Sequence, residues 1–513
     1  MKKILIVLLL LISNIYAVMV GKYQIFPYHQ ISNFKQYVVS LLQNDIFYSF
    51  EASTPAYTSA EKVKSAAELE AEKRNELISP VLTQITKIIE SEKRKQAAYK
   101  PKLDSLVGYI KKRSIGKGAK LDVFVHATEP YSVQIFRLGR QKVAYRNLGN
   151  FKSRPQETLY SPDTGFAWAS SFSVDTSSYE SGIYLVEMKG NSSGALWQIP
   201  FIVKPETAPK IAFIASTYTW YAFNAFAEKS FYVDHETSGD NLAYNNALDS
   251  LLNSIGLPKS SIHIPLNRPL KPENFIADIL PEASHHSHLL RASWIIPAFA
   301  EAHSIEFGFY ANEDFNESSS IMNSEIVVFD AHTEYWSKAM IDAYDKFIKK
   351  GGKAIFAGGN PIFKLVATDE KRISLLGDVP GTQRVKMTGA VNTGISNPLY
   401  GPFRVLNPDH WIFRGTNLKK GAAFGLMSAN HNPDSSYQGA SGWEADQGSP
   451  DFSGFTILAA GTNTKFPANM LFKQTQEGGW IFNAGSIPFG GTLFSDPVCE
   501  KIMLNLLDTK TGK

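Results

Sequence analysis

The chain contains a single cysteine, Cys499, in 513 residues. One thiol excludes an internal disulfide framework, a CxxC zinc site and a cysteine-held iron–sulfur cluster. An excess of either charge is also missing. Fifty-two Lys and Arg face 48 Asp and Glu, a net charge of +4, and no dense basic block interleaves with aromatics. That argues against a dedicated nucleic-acid binder. There is no internal repeat and no Walker loop, so P-loop chemistry has no carrier. After the first 20 residues no apolar run reaches membrane-spanning length. What is present is apolar and aromatic: 44% hydrophobic residues, with 33 Phe and 22 Tyr, against 19% charged. Such a chain buries a core, and its aromatics favour β-rich parts and large apolar pockets. The length points to two or three domains.

Met1-Lys2-Lys3 leads into an aliphatic run over residues 4–12, and apolar character resumes to Val20. A positive start before a short apolar core describes an export signal. Ala17 offers a cleavage point, although Ile15 is larger than the small residue preferred there. Uncleaved, residues 4–20 are about long enough to anchor the chain, with the lysines inside and the body outside the cytoplasm. The expected location is therefore periplasmic, or membrane-anchored and facing outward. Membrane contact is expected only through this segment.

Residues 58–99 carry apolar positions at helical spacing, and Ser79-Pro80 reads as a cap followed by a first-turn proline. Residues 21–117 are thus expected to form a helical spacer. From 120 to 204 short aromatic and β-branched runs recur at 121–126, 132–138, 166–174, 183–188 and 196–203. They predict an antiparallel β-sandwich over 118–205. A Pro-rich linker leads into an α/β region, 206–513. Strands are expected at 211–215, 325–329 and 353–357, with a helix from 336 to 350 stopped by Gly351-Gly352. Strand, helix and strand in short succession imply a parallel sheet, and ligands of such sheets bind beyond the strands' carboxyl ends.

That rule puts Ala331-His332-Thr333-Glu334 and Gly358-Gly359-Asn360 at one rim. His332 can shuttle protons, and Glu334 can bind a metal or act as a base. The alternative for the acids before the helix is an N-cap. Gly358-Gly359 permits close backbone approach, and Asn360 offers an amide there. Glu444 and Asp446 stand two apart in a Gly/Ser/Asn-rich loop and, on the residues alone, read more simply as solvated acids. His285, His286 and His288 could bind a metal but read more simply as surface. Cys499 reads as core in a final apolar helix.

Several of these segments, taken in order, carry a family signal. They are Thr219-Trp220-Tyr221-Ala222-Phe223-Asn224, the turn from Asp330 to Trp336, Gly358-Gly359-Asn360, Asp409-His410-Trp411 and Phe482-Asn483-Ala484-Gly485-Ser486. Over residues 118–505 the chain resembles the N,N-dimethylformamidase large (beta) subunit family. The resemblance implies a sheet related to class I glutamine amidotransferases and hydrolysis of a small amide to an amine and a carboxylate. It also implies one iron on two tyrosines and a glutamate. By motif match Glu334 takes the glutamate's place, Glu444 that of the acid/base carboxylate and His332 that of a proton relay. Asn360 would anchor substrate and Phe482 would form a pocket wall.

The tyrosine positions depart from the family pattern: they match Phe223 and Leu270, which cannot donate to a metal. Iron is therefore expected to be absent or weakly held, unless Tyr218, Tyr221 or Tyr232 compensates. Two functional expectations follow. One is an exported amide hydrolase of divergent site. The other is a non-catalytic, surface-anchored protein that binds a ligand or polymer. The substrate, catalytic competence and homo-oligomer formation are left open by the sequence.

Overall fold

A computed structural model describes residues 100–228, 230–232, 263–271, 288–392, 400–428, 439–449, 454–462 and 467–509. The apolar start, the 58–99 stretch, His285 and His286 lie outside these residues. Among the described residues no helix is long and apolar enough to cross a membrane.

The sandwich has two sheets. One joins Leu106–Ile110, Lys120–Ala127 and Phe172–Asp175. The other orders Ser114–Gly116, Leu196–Lys204, Gly182–Gly190, Tyr131–Leu138 and Lys142–Phe151. Within Tyr131–Leu138, Tyr131, Val133 and Ile135 are buried while Ser132, Gln134 and Phe136 are half-exposed. This is the period of two expected of a sheet with one face on a core. Two features differ from the sequence reading. Residues 106–116, expected to close a helical spacer, form two strands whose apolar faces complete the sandwich core. The run expected at 166–174 is split into Gly165–Phe166 and Phe172–Asp175. Between them Trp168 turns into the core and donates from Nε1 to the Glu157 carbonyl at 2.7 Å.

The second part is built on a nine-stranded sheet, mixed rather than all parallel. Gly308–Ala311, Ile211–Ala215, Ile326–Phe329, Lys353–Phe356 and Trp480–Asn483 lie side by side and parallel. Asn469–Gln474, Thr456–Gly461, Phe403–Val405 and Ala423–Phe424 continue the sheet antiparallel. The central parallel strands are apolar throughout, because both faces are covered. Numbered by sequence, the parallel five run 2-1-3-4-5. The order reverses between Ile211–Ala215 and Ile326–Phe329, and such a switch point leaves a crevice at the strands' carboxyl ends.

The helix after the third of these strands is Lys338–Lys349, which buries Met340, Ile341, Ala343, Tyr344 and Phe347 on one face. It starts two residues later than expected, since Tyr335–Ser337 pairs with Lys364, Leu365 and Val366 as a short parallel strand. Its cap is Ser337, whose Oγ accepts from the Met340 N–H at 3.2 Å. No acid caps it, and Glu334 is free of that duty. Gly351 ends it at φ +83°, a conformation suited to glycine.

Candidate active site at the strand ends

Four strand ends meet at the switch point. Asp330 follows Ile326–Phe329 and ties three elements together. Its carboxylate accepts from the Ser216 N–H at 2.8 Å and from the hydroxyls of Ser216 and Ser293. Thr219 donates to the His332 carbonyl at 2.8 Å. The helix Thr217–Phe223 is thereby fixed against the His332 turn.

The two glycines explain how the next loop approaches. A Cβ on Gly358 would sit 1.7 Å from the Ala331 carbonyl oxygen, and one on Gly359 2.0 Å from the Glu444 carbonyl oxygen. Only glycine lets these three backbones touch. The Glu444 loop is pinned from its other side by Ser486. The Ser486 hydroxyl donates to the Trp443 carbonyl at 2.8 Å and accepts from the Gly442 N–H at 3.0 Å. Glu444 itself holds φ +47°, and Asn360 φ +52°. Both are left-handed conformations that cost a non-glycine residue about 1 kcal/mol or more. The sheet and the Ser486 clamp hold them there.

His332 (1% exposed) and Glu334 (4% exposed) lie side by side, Nε2 to Oε2 3.3 Å. The turn points both inward, as their spacing of two suggested. Burial opposes the imidazolium, but the Glu334 carboxylate and then Glu444 outweigh it and hold the His332 pKa above its ordinary value. Tyr232 donates to Glu334 at 3.3 Å, and its hydroxyl lies 2.5 Å from that of Tyr335. Burial first, then the Glu334 charge, pushes both phenols well up. The Glu444 charge is also felt at Tyr232, Tyr335 and His332. His332, Glu334, Asn360 and Glu444, over a hundred residues apart in sequence, are thus brought to one rim.

Aromatic rings close the other side. Phe223 packs at 4.5 Å from Tyr232, 4.8 Å from His288 and 5.9 Å from His332, centroid to centroid. His288 also meets Trp443 at 4.8 Å. It is a buried member of this wall, not the surface residue its histidine-rich neighbourhood suggested. Asp446 is likewise no solvated loop acid. It is 1% exposed and accepts from the Asn360 N–H at 3.3 Å and from Asn483 Nδ2 at 3.2 Å. Burial, helped by the nearby Glu444 charge, raises its pKa to about 7 against the pull of those hydrogen bonds. The Asn360 Oδ1 is buried with no hydrogen-bond partner among the described residues.

Two sequence-derived residues fall elsewhere. Phe482 faces the sheet core, 6.2 Å from the Phe489 ring. Asn483, on the opposite face of the same strand, is the residue that reaches the Glu444 loop. Leu270 lines a separate cavity beside Arg113 and Arg268. Tyr335 was not foreseen, because its partner Tyr232 lies over a hundred residues away in sequence.

Among the described residues no three His, Cys, Asp or Glu groups cluster as a metal site. The oxygen donors at Glu334 are instead two phenols and one carboxylate. Phe223 leaves a hydrocarbon at the expected tyrosine position, but Tyr232 brings a hydroxyl to the Glu334 carboxylate, and Tyr335 brings a second one to Tyr232. All-oxygen donors of this kind fit a hard cation.

Among curated proteins none matches the chain in sequence. A solved structure of titin domains z1z2 in complex with telethonin is similar over 22% of this chain and 59% of that one, at 15% identity. Its TM-score of 0.12 carries no argument about the fold. The family model for N,N-dimethylformamidase beta subunit-like proteins, C-terminal domain, matches residues 132–387 and 380–501. That match takes in most of the sandwich and the whole strand-end site, and the chain belongs to the N,N-dimethylformamidase beta subunit-like family.

Proposed function

We propose that the protein is an exported hydrolase that cleaves the carbon–nitrogen bond of a small amide, on a sheet of the glutamine-amidotransferase kind. One observation carries the reading. Two carboxylates, a histidine held towards its charged form and two phenols converge at the switch point of a chain whose family is described by its likeness to an amidase subunit.

In this reading Glu444 takes a proton from water as the oxygen attacks the amide carbon. The proton passes to the departing nitrogen, and amide plus water become carboxylate and amine. Asn360 anchors the amide: its buried Oδ1 accepts a substrate N–H or hydroxyl. His332, charged beside Glu334, donates towards the developing oxyanion. Phe223, His288 and Trp443 exclude bulk water and favour an apolar amine substituent. Glu334, Tyr232 and Tyr335 are the residues that would hold a hard cation such as iron. When bound, such an ion would polarise the amide carbonyl.

The test is an amine-release screen on small amides with purified protein, run with Glu444→Gln and with metal analysis. Turnover by the wild type that falls about a hundredfold or more in the variant is expected of a lost general base. Absence of release from every amide, with saturable binding of one of them, would favour the binding-protein alternative. Iron content and visible colour, compared between wild type and Tyr232→Phe, report on the cation separately. A colourless, iron-free wild type leaves Tyr232 and Tyr335 as a hydrogen-bonded pair serving Glu334.

A further inference from the structure

The loop 358–362 carries Asn360 into the strand-end site. The Gly359 N–H donates to the Ala331 carbonyl at 3.2 Å and the Ile362 N–H to the Thr333 carbonyl at 3.0 Å, both on the His332 turn. The Asn360 N–H between them goes elsewhere, to Asp446 Oδ1 at 3.3 Å. Asp446 Oδ2 accepts from Asn483 Nδ2 at 3.2 Å, and Asn483 Oδ1 in turn accepts from the Gly485 N–H at 2.9 Å. A relay of side chains thus runs from the end of strand Trp480–Asn483 to the Asn360 main chain.

Burial of a carboxylate is costly, and the Asp446 side chain is not needed to hold its own loop. The Asp446 N–H already donates to the Gly485 carbonyl at 2.8 Å, and Asp446 pairs with Asn392 in a two-stranded sheet. The Ser486 hydroxyl clamps the Glu444 turn just before it. What the side chain alone supplies is two acceptors on one planar group, where an amide would supply one. One of the two serves Asn360, which stands at φ +52°, a conformation that a residue other than glycine keeps only when its surroundings hold it there. The charged groups whose fields reach Asp446 are Glu444, which opposes its charge, and Arg384, which favours it.

We infer that Asp446 is a positioning residue: its carboxylate holds the Asn360 main chain in the left-handed turn and so keeps the Asn360 amide aimed at the substrate. This role rests on the amide-hydrolase reading of the site, in which Asn360 is the anchor. Asp446 acts through Asn360, so its loss weakens substrate binding more than chemistry.

The experiment compares Asp446→Asn, Asn360→Ala, the two combined, and the exchange of Asp446→Asn with Asn483→Asp, each in the full chain on an amide that the wild type turns over. Assays at about pH 8 keep the wild-type carboxylate ionised. Asp446→Asn keeps the shape but has one acceptor for two donors. It is expected to raise KM about tenfold with kcat changed less than about threefold, the pattern of lost uniform binding. Added to Asn360→Ala, it should change KM by less than about twofold, because the group it positions is already gone. The exchange gives every donor of the relay an acceptor again: the amide now at 446 accepts from Asn360 and donates to the carboxylate now at 483, which also accepts from Gly485. It should return KM to within about threefold of the wild type. If Asp446→Asn does not fold, Asp446→Glu, which keeps the charge and moves both acceptors by one methylene, takes its place beside Asn360→Ala. A loss that multiplies with that of Asn360→Ala, or that the exchange does not relieve, would make Asp446 a structural residue and overturn the inference. Crystal structures of the same variants decide the case without substrate. Asn360 displaced from φ +52° in Asp446→Asn and returned to it in the exchange supports the positioning role even if no amide is hydrolysed, a result that would count against the hydrolase reading alone. Asn360 unmoved in Asp446→Asn would overturn the inference whatever the turnover.

Discussion

The sandwich and the strand-end site both bury tyrosines, tryptophans and histidines, but they end their polar tips differently. In the sandwich three of the largest tips finish on backbone. Tyr109 donates to the Phe166 carbonyl at 3.0 Å, Trp197 to Gly108 at 2.9 Å and Trp168 to Glu157 at 2.7 Å. At the strand ends they finish on one another: Tyr232 on Tyr335 and Glu334, His332 on Glu334, Asn483 on Asp446. A backbone carbonyl cannot change protonation, so the first arrangement only holds shape. Mutually dependent titratable groups can move protons, and their burial shifts their pKa values in the way functional sites require. The contrast separates scaffold from site without reference to any substrate.

The contrast would break most visibly in the sandwich. Trp168, packed on Tyr109 at 5.2 Å and on Phe166 at 4.6 Å, should cost about 3–5 kcal/mol on replacement by alanine. Denaturant unfolding measures that loss. Hydrolysis per folded molecule should be unchanged. A large loss of turnover at retained stability would show that the sandwich belongs to the site.

Glu444 should behave in the opposite way. At φ +47° it sits where glycine is more comfortable. Glu444→Gly should therefore raise stability by about 1 kcal/mol while removing the proposed base. Stability and turnover moving together would contradict a residue held in strain for function.

Most of the scaffold was legible in the sequence, and part of the site. Strand Ile211–Ala215 falls at the bounds that its apolar run suggested, and Gly358-Gly359 does permit the backbone contact read from it. The early strands Leu106–Ile110 and Ser114–Gly116 were hidden because their short apolar runs follow a long helical pattern and carry no turn signal between. Asp446 and His288 were misread because burial of a polar loop residue depends on partners distant in sequence, here Asn360, Asn483 and Trp443. Tyr335 was hidden because nothing in the sequence put its hydrogen-bond partner, Tyr232, beside it.

Asp446 allows a sharper test, through pH. Its pKa rises from an ordinary carboxyl value to about 7 in the folded chain, chiefly through burial. Between about pH 4 and 7 the folded state therefore keeps a proton that the unfolded state has released. Stability conferred by this group is complete below pH 4 and is lost as pH rises towards 7. The limiting slope for one proton is about 1.4 kcal/mol per pH unit. Asp446→Asn, whatever its absolute stability, should remove this component. Parallel pH–stability curves for wild type and variant would show that Asp446 is ionised in the fold.

The smallest expected effect decides to which region Glu334 belongs. It stands three residues before Ser337, the cap of Lys338–Lys349, and a carboxylate near a helix start is ordinarily read as part of that helix. Here Ser337 Oγ already accepts the Met340 N–H, while Glu334 meets His332 and Tyr232. Ser337→Ala should cost about 1 kcal/mol and leave turnover intact, as the loss of a serine cap does. Glu334→Gln preserves shape and removes the charge that sustains the His332 imidazolium. It should lower the His332 pKa, read from its ring proton shifts against pH, and suppress turnover, with little change in helix stability. The reverse pattern, a helix weakened by Glu334→Gln with His332 unmoved, would return this carboxylate to the scaffold and leave Glu444 as the one acid of the site.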